Sequence, residues 1–323
     1  MKFCVLFILF LPVLSFAKET DNLTGRYKQL EDSTAILDAE MNKRLAKLVE
    51  QANSKDIPCD QPIEIRRLFH KENGPNYMLT GALEGYAEDN DKIAKRKASP
   101  KNSIYEGVLK NGFVFNKIDL ASTIKVNEQI IGTDKLGHFV DQGYEYYTAY
   151  RQRNFDMFET LRSSRGSESI NGKNSTGVKS SADLMANYKG ILFYHNLTEG
   201  NSPYLRCVNG QWTSHRNFSW SEYVDAGWDE GINCNDFFTK ENKEAYDKNI
   251  QKLEDQAKQN GKSQSYRCPV EPDACVKLYE KNLANEVFLL GSECRKVAKE
   301  AKKKGGTGKP GTTGSGAGQP AQR

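Results

Sequence analysis

A mainly α-helical single domain with two small β-hairpins, braced by disulfides, is the fold class this sequence predicts, and three observations carry it. Apolar residues recur at three- and four-residue steps over long stretches, the period of a helix with one packed face. Two Asn-Gly dipeptides, Asn111-Gly112 and Asn209-Gly210, each sit between short apolar runs. Seven cysteines occur, and Cys4 lies within an N-terminal leader, which leaves six for the folded chain.

Residues 1–17 place Lys2 before an apolar run from Phe3 to Leu14 and end in Ser15-Phe16-Ala17, with small residues where a signal peptidase reads. This is the pattern of a secretory signal peptide removed after Ala17. No other stretch approaches the ~20 apolar residues of a membrane span. The expected protein is therefore exported, periplasmic or secreted, without a membrane span. In an oxidising compartment Cys59, Cys207, Cys234, Cys268, Cys275 and Cys294 read as three disulfides. No pair has the two-residue gap of a zinc knuckle. Cys275 and Cys294 are expected to have different partners. If one helix joined them, a rise of ~1.5 Å per residue would hold them about 28 Å apart, against the ~7 Å that a bridge tolerates.

Residues 27–52 align Leu30, Thr34, Leu37, Met41, Leu45, Leu48 and Ala52 on one face, an amphipathic helix that packs on the domain and ends before Pro58-Cys59. A polar, glycine-broken region follows. Val108–Phe115 and Leu205–Trp212 each read as a β-hairpin, because Asn-Gly supplies the two positive φ angles of a type I′ turn. Gly132–Tyr147 reads as a helix with Asp134, His138, Asp141 and Glu145 along one stripe and Leu136, Val140, Gly143 and Tyr147 along a second. The Ser-, Gly- and Asn-rich stretch from Arg162 to Lys179 reads as a loop.

Ser180 followed by Asp183 is a capping box, so a helix begins there, with Asp183, Asn187 and Gly190 on one face. Trp220, Tyr223, Val224 and Trp228 have helical spacing, and their rings suit core packing or a carbohydrate platform. Residues 240–260 and 272–301 read as the last two helices, Pro272 fitting a first turn. From Lys302 to Arg323 the chain has almost nothing apolar and is expected to be disordered. Residues 18–301 hold no linker, hence one domain. The formal charge of +4 is without the dense Lys and Arg surface of a nucleic-acid binder.

The chemistry concentrates at two helix starts. Asp134 with His138, and Asp183 with Asn187, each put an acid and a second polar group one turn apart, and the segment between the helices carries Glu168. If the starts pack together, five polar groups converge. Asp134 and His138 at that spacing can chelate a divalent metal, the one cofactor the pattern admits, or act as a base and its orienting carboxylate. Each group also has a structural use: Thr133 as cap with Asp134 as first-turn acid, Asp183 in its capping box, and His138 as a packed ring.

The strings T-D-K-L-G-H-F at 133–139 and S-T-G-V-K-S-S-A-D-L-M-A-N-Y at 175–188, with Trp228-Asp229-Glu230 and Asn233, resemble a set of exported bacterial proteins of uncharacterised function. The resemblance implies a periplasmic helical protein and names no activity. Glu168-Ser169, Ser175-Thr176-Gly177 and Leu184-Met185 are similar in order to the acid region of lytic transglycosylases. Ala186 stands where that family has Gln, and the family's acid ends a helix. That likeness implies that Glu168 protonates a glycosidic oxygen of peptidoglycan or another envelope polymer, with Asp183 or Asp134 offsetting the developing charge and Asn187 orienting sugar or water. Two other readings stand beside it: a buried hydrogen-bonded network that locks the helices of a non-catalytic protein, and a metal-dependent amidase or esterase.

Overall fold

The computed structural model describes residues 18–74, 81–108 and 120–305. The leader, the Val108–Phe115 hairpin beyond Val108 and the chain after Gly305 lie outside them. Helix α1 (Thr34–Ser54) buries Leu37, Met41, Leu45, Leu48 and Ala52, the face its spacing predicts, but starts at Thr34. Two helices follow in the region read as irregular. In α2 (Pro62–Asn73), Pro62 occupies the first turn and Ile65, Leu68 and Phe69 point inward. In α3 (Ala82–Asp89), Leu83 and Ala87 do so. A small antiparallel sheet then joins β1 (Lys95–Arg96), β2 (Thr123–Val126) and β3 (Gln129–Gly132). The β2–β3 turn places Asn127 and Glu128 at φ 49° and 63°, so it is a tight hairpin made without glycine.

Helices α4 (Asp134–Gln152) and α5 (Met157–Ser175) lead through β4 (Val178–Lys179) to α6 (Ser181–Asn196). The hairpin of β5 (Leu205–Val208) and β6 (Gln211–Ser214) forms as predicted, Asn209 and Gly210 having φ 51° and 81°. Next come β7 (Asp236–Phe237), paired to β4, then α7 (Lys240–Gln259), α8 (Pro272–Lys281), the single turn α9 (Glu286–Leu289) and α10 (Ser292–Gly305). The fold is mainly α, with ten helices among the described residues. None of these is long and apolar enough to cross a membrane.

Three expectations are corrected. The stretch from Arg162 to Lys179 is largely helix, because α5 runs to Ser175 and Glu168 lies within it. Asp156 caps its start by accepting from the Glu159 amide at 2.9 Å. The hydroxyls of Ser164, Ser167 and Ser169 donate to carbonyls one turn back, so their polarity is satisfied inside the helix. Packing of Leu161, Thr160 and Ser164 against the body outweighs the weak intrinsic propensity of Ser and Gly.

The second correction concerns residues 272–301, which are three helices. Asn282 and Asn285 interrupt them, and Gly291 lies so close to the Cys234 carbonyl that a Cβ there would sit 1.9 Å from it. The chain therefore folds back, and Cys275 pairs with Cys294 after all. The other bridges are Cys59–Cys207, which ties the end of the α1 region to β5, and Cys234–Cys268. The third is Trp220–Asp236, which holds two 3₁₀ turns in place of an α-helical face. Its rings are core: Trp220 and Trp228 are wholly buried and meet Phe139 at centroid distances of 5.0 and 5.8 Å. They form no exposed sugar platform.

One close approach sets the arrangement of α4 and α6. A Cβ on Gly190 would lie 2.2 Å from the Phe139 carbonyl oxygen and 2.6 Å from Gly143 Cα. Only glycine at both positions lets the two backbones touch. Tyr194 reinforces the contact by donating to the Val140 carbonyl at 2.7 Å. Replacing Gly190 by Ala should cost about 2–4 kcal/mol in urea unfolding, since backbone must move. Gly166 of α5 has open space around its Cβ direction. Gly166→Ala should instead add about 0.5–1 kcal/mol, and equal effects of the two substitutions would refute this account of the seam.

Candidate functional site

The glycine seam aligns the starts of α4 and α6, and the first turns of both face the same space. Ser180 accepts from the Asp183 amide at 3.1 Å, the cap half of the predicted capping box, while the Asp183 carboxylate turns to Lys135 and His138. Thr133 differs from expectation: it leaves its own helix uncapped and donates its hydroxyl to Glu88. Gly132 clears room for the N-terminal segment, because a Cβ there would collide with Thr20 Oγ1 and Asp134 Oδ1. Through that gap Thr20 donates to Asp134 Oδ1 at 2.7 Å.

At the centre lies Lys135, whose side chain is wholly buried. Its ammonium contacts Asp134 Oδ2 at 2.8 Å, Asp183 Oδ1 at 2.6 Å and Glu230 Oε1 at 2.6 Å. The ammonium donates to Asp134 and Glu230, and Asp183 completes a ring of three carboxylates as an ion pair. Burial disfavours its charge, but the three anions outweigh burial and hold the amine protonated well above its usual range. Glu230 is itself fixed by Tyr105 and Asn235, each donating to Oε2 at 3.0 Å.

His138 lies beside this triad. Its Nε2 is 3.3 Å from Asp183 Oδ2, and its Nδ1 is 3.1 Å from Asn187 Oδ1. Both ring nitrogens thus face acceptors, the environment of an imidazolium. Burial opposes that charge, while Asp183 and then Glu168 favour it, and the net effect raises the His138 pKa. Asp183 moves the other way: His138 and Lys135 overcome burial and keep it ionised below its usual range. Glu168, carried in by α5, is pushed up to about 7 by burial and by the charge of Asp183, against the pull of His138 and Lys135. Glu19 is raised well above the ordinary carboxyl range by burial and then by Glu230 and Asp183.

Asp134, His138, Asp183 and Asn187 are therefore brought together around Lys135, and Glu168, buried on α5, feels the charges of Asp183, His138 and Lys135. The rest of the α4 stripe is not, since Asp141 turns away to His70 at 2.8 Å. The sequence reading missed Lys135, Glu230, Glu19 and Thr20. A lysine in the first turn of a helix opposes the helix dipole, and that misfit is the local signal that Lys135 answers to buried anions. Glu230, Glu19 and Thr20 carry no such local mark.

The candidate metal ligands have suitable spacing, with one donor atom from each of Asp134, His138 and Asp183 lying within 4.8 Å of the others. Two of these donors already serve Lys135, and His138 faces Asp183 with a ring nitrogen that bears a proton. An incoming ion would have to displace both the ammonium and that proton. The set fits a metal in distance and resists it in charge.

Replacing Lys135 by Met should cost about 3–5 kcal/mol at neutral pH, because three buried carboxylates lose their shared cation. The penalty should shrink as acid protonates them, read from denaturation midpoints between pH 7 and 4. Glu168 has the opposite linkage. Its folded pKa is raised, so the stability it adds is complete below its unfolded pKa and lost as pH rises toward 7. Glu168→Gln should flatten the fall in stability between about pH 4.5 and 7, by up to about 3 kcal/mol. An unchanged slope would refute a protonated Glu168. Comparison with family models, with curated proteins and with solved structures finds no match to this chain.

Proposed function

We propose that the chain is an exported cell-envelope hydrolase that cleaves peptidoglycan glycan strands by acid catalysis. The observation that carries this reading is the divergence of two neighbouring carboxyls, Glu168 raised to about 7 and Asp183 lowered. Environments that drive two acids apart assign one as proton donor and the other as fixed anion. Glu168, protonated near neutral pH, would donate to the glycosidic oxygen. Asp183, held ionised by Lys135 and His138, would offset the positive charge that develops on the sugar. Asn187 orients the imidazole of His138, and Asp134 anchors the ammonium. Three disulfides and an N-terminal leader support export into an oxidising compartment.

Access to this centre would require α5 to move, since Glu168 is 5% and His138 6% exposed. Glycine and serine in α5 make it the helix least favoured by its own sequence, which suits a cover. The same burial favours a second reading, in which Asp134, His138, Asp183 and Asn187 are a network locking α4 to α6 in a non-catalytic protein. A metal-dependent amidase or esterase has the 4.8 Å ligand spacing in its favour.

Oxidised mature protein, Glu168→Gln and His138→Ala, incubated with purified sacculi, distinguish these by mass spectrometry of what is released. The glycan reading expects sugar-terminated fragments that vanish with Glu168→Gln while the unfolding midpoint holds. Peptide fragments that require added divalent metal and are lost with His138→Ala would replace it by the amidase. No fragments from wild-type protein would leave the locking network.

A further inference from the structure

Apart from the buried carboxyls, a group of cations gathers where α5, β4, β7 and α10 meet. Lys179 and Asp236 are directly opposed across the β4–β7 pair, so both side chains leave the same face of it. Arg165 of α5 reaches the same place, with a guanidinium nitrogen 3.8 Å from Asp236 Oδ2. It is fixed there by donating to the carbonyl oxygens of Phe288, at 3.0 Å, and of Val287. Ser292 opens α10 and donates to Asp236 Oδ1 from its amide, at 3.2 Å, and from its hydroxyl. Arg295 follows Ser292 by three residues and lies one turn along the same side of the helix. Three cations thus surround one carboxylate.

In contrast to the ionic centre, this group has too little negative charge. Lys179 and Arg295 have no ion-pair partner among the described residues, and the buried Nε of Arg295 has no hydrogen-bond partner there either. Neighbouring acids serve other cations: Glu159 contacts Arg162 at 2.7 Å, Glu286 contacts Lys299 at 3.7 Å and Glu293 contacts Lys296 at 3.7 Å. Burial and then Arg295 pull the Arg165 pKa down, and burial and then Arg165 do the same to Lys179, with Asp236 opposing both. Glu168 also acts on Lys179, but with its own pKa pushed up to about 7 it is a weak counter-ion. The group opens to solvent, since the side chains of Arg165 and Asp236 are 19% and 25% exposed and Lys179 and Arg295 are half-buried.

We infer that Arg165, Lys179 and Arg295 form a binding site for a phosphate group in its dianionic form. Three cations less one carboxylate leave two positive charges, and a phosphate monoester brings about −1.5 to −2 at neutral pH. Its three terminal oxygens suit two planar guanidinium forks and one point-charge ammonium. A carboxylate would leave one positive charge unmatched and lacks the third oxygen. The site stands whether or not the ionic centre is catalytic. Its occupant would fasten α5 to β4 and α10, one turn before Glu168.

Isothermal titration of the folded, oxidised protein with inorganic phosphate at pH 7, ionic strength held constant with sodium chloride, tests this. One phosphate should bind per chain. Arg295→Gln and Lys179→Gln should each weaken binding about tenfold, the loss of one charge-assisted hydrogen bond. Lys240→Gln, at a side chain 85% exposed on α7, should leave it unchanged. Because the three cations repel one another, the unfolding midpoint without phosphate should hold or rise in Arg295→Gln and Lys179→Gln. Added phosphate should raise that midpoint most in the unsubstituted protein. Glycerol phosphate binding as tightly as inorganic phosphate would identify a terminal phosphate on a larger molecule as the ligand, and binding of inorganic phosphate alone would identify the free ion. Phosphate held no better than acetate would overturn the site. An affinity unchanged in both folded variants, or lost equally in Lys240→Gln, would do the same.

Discussion

The buried ammonium of Lys135, ringed by three carboxylates, is the contact on which the rest of this structure turns. It joins the first turn of α4 to Asp183 on α6 and to Glu230 in the turn region after Trp228, three segments far apart in sequence. A buried ion pair commonly recovers little of its desolvation cost. Here the cation meets three anions, of which Asp134 accepts a further hydrogen bond from Thr20 and Glu230 accepts from Ser180, Tyr105 and Asn235, while Asp183 faces His138. Such a cluster tolerates few alternative packings, since any shift leaves a buried charge alone. Its value is therefore specificity of arrangement more than net stability.

The arrangement also needs α4 and α6 to meet at backbone distance. Gly143 and Gly190 permit that approach, and the aromatic core around Phe139 supplies the apolar burial that drives it. Seam and ionic centre lie on the same pair of helices, about two turns apart. A side chain at the seam would separate the helix starts and open the contacts of Lys135. Packing and electrostatics here are one constraint expressed at two heights along the same crossing.

What the sequence revealed follows from how local each signal is. The inward face of α1, the Asn209-Gly210 turn and the Ser180 cap depend on residues a few positions apart, and all three are legible. The Asn127-Glu128 turn escaped notice because Glu128 adopts a positive φ that glycine usually fills. Helix α5 was read as a loop because composition speaks for Ser and Gly, whereas contacts to distant segments decide the outcome. The Cys275–Cys294 bridge is illegible for a related reason: one continuous helix would forbid it, and Asn282, Asn285 and Gly291 divide that helix. Asp134, His138, Asp183 and Asn187 were visible as two repeated one-turn pairs. Lys135 among them is marked only by its misfit to the helix dipole, because its partners Asp183 and Glu230 lie 48 and 95 residues away.

An unequal count of buried charge gives the ionic centre its chemical character. Glu19, Asp134, Glu168, Asp183 and Glu230 surround Lys135 and His138, with Lys179 also acting on Glu168, so carboxyls outnumber cations among the described residues. An interior disfavours unmatched negative charge, and protons make up the difference. Glu19 and Glu168 are the carboxyls raised farthest from Lys135's direct grasp, and they take those protons first. Glu19 lies deep in the cluster, with one oxygen lacking a hydrogen-bond partner among the described residues. Glu168 instead arrives on a separate helix beside His138. A proton held by Glu168 can leave if α5 moves, and the charge it leaves behind would be repelled by Asp183. Motion of α5 and ionisation of Glu168 are for that reason coupled, whatever substrate meets the proton.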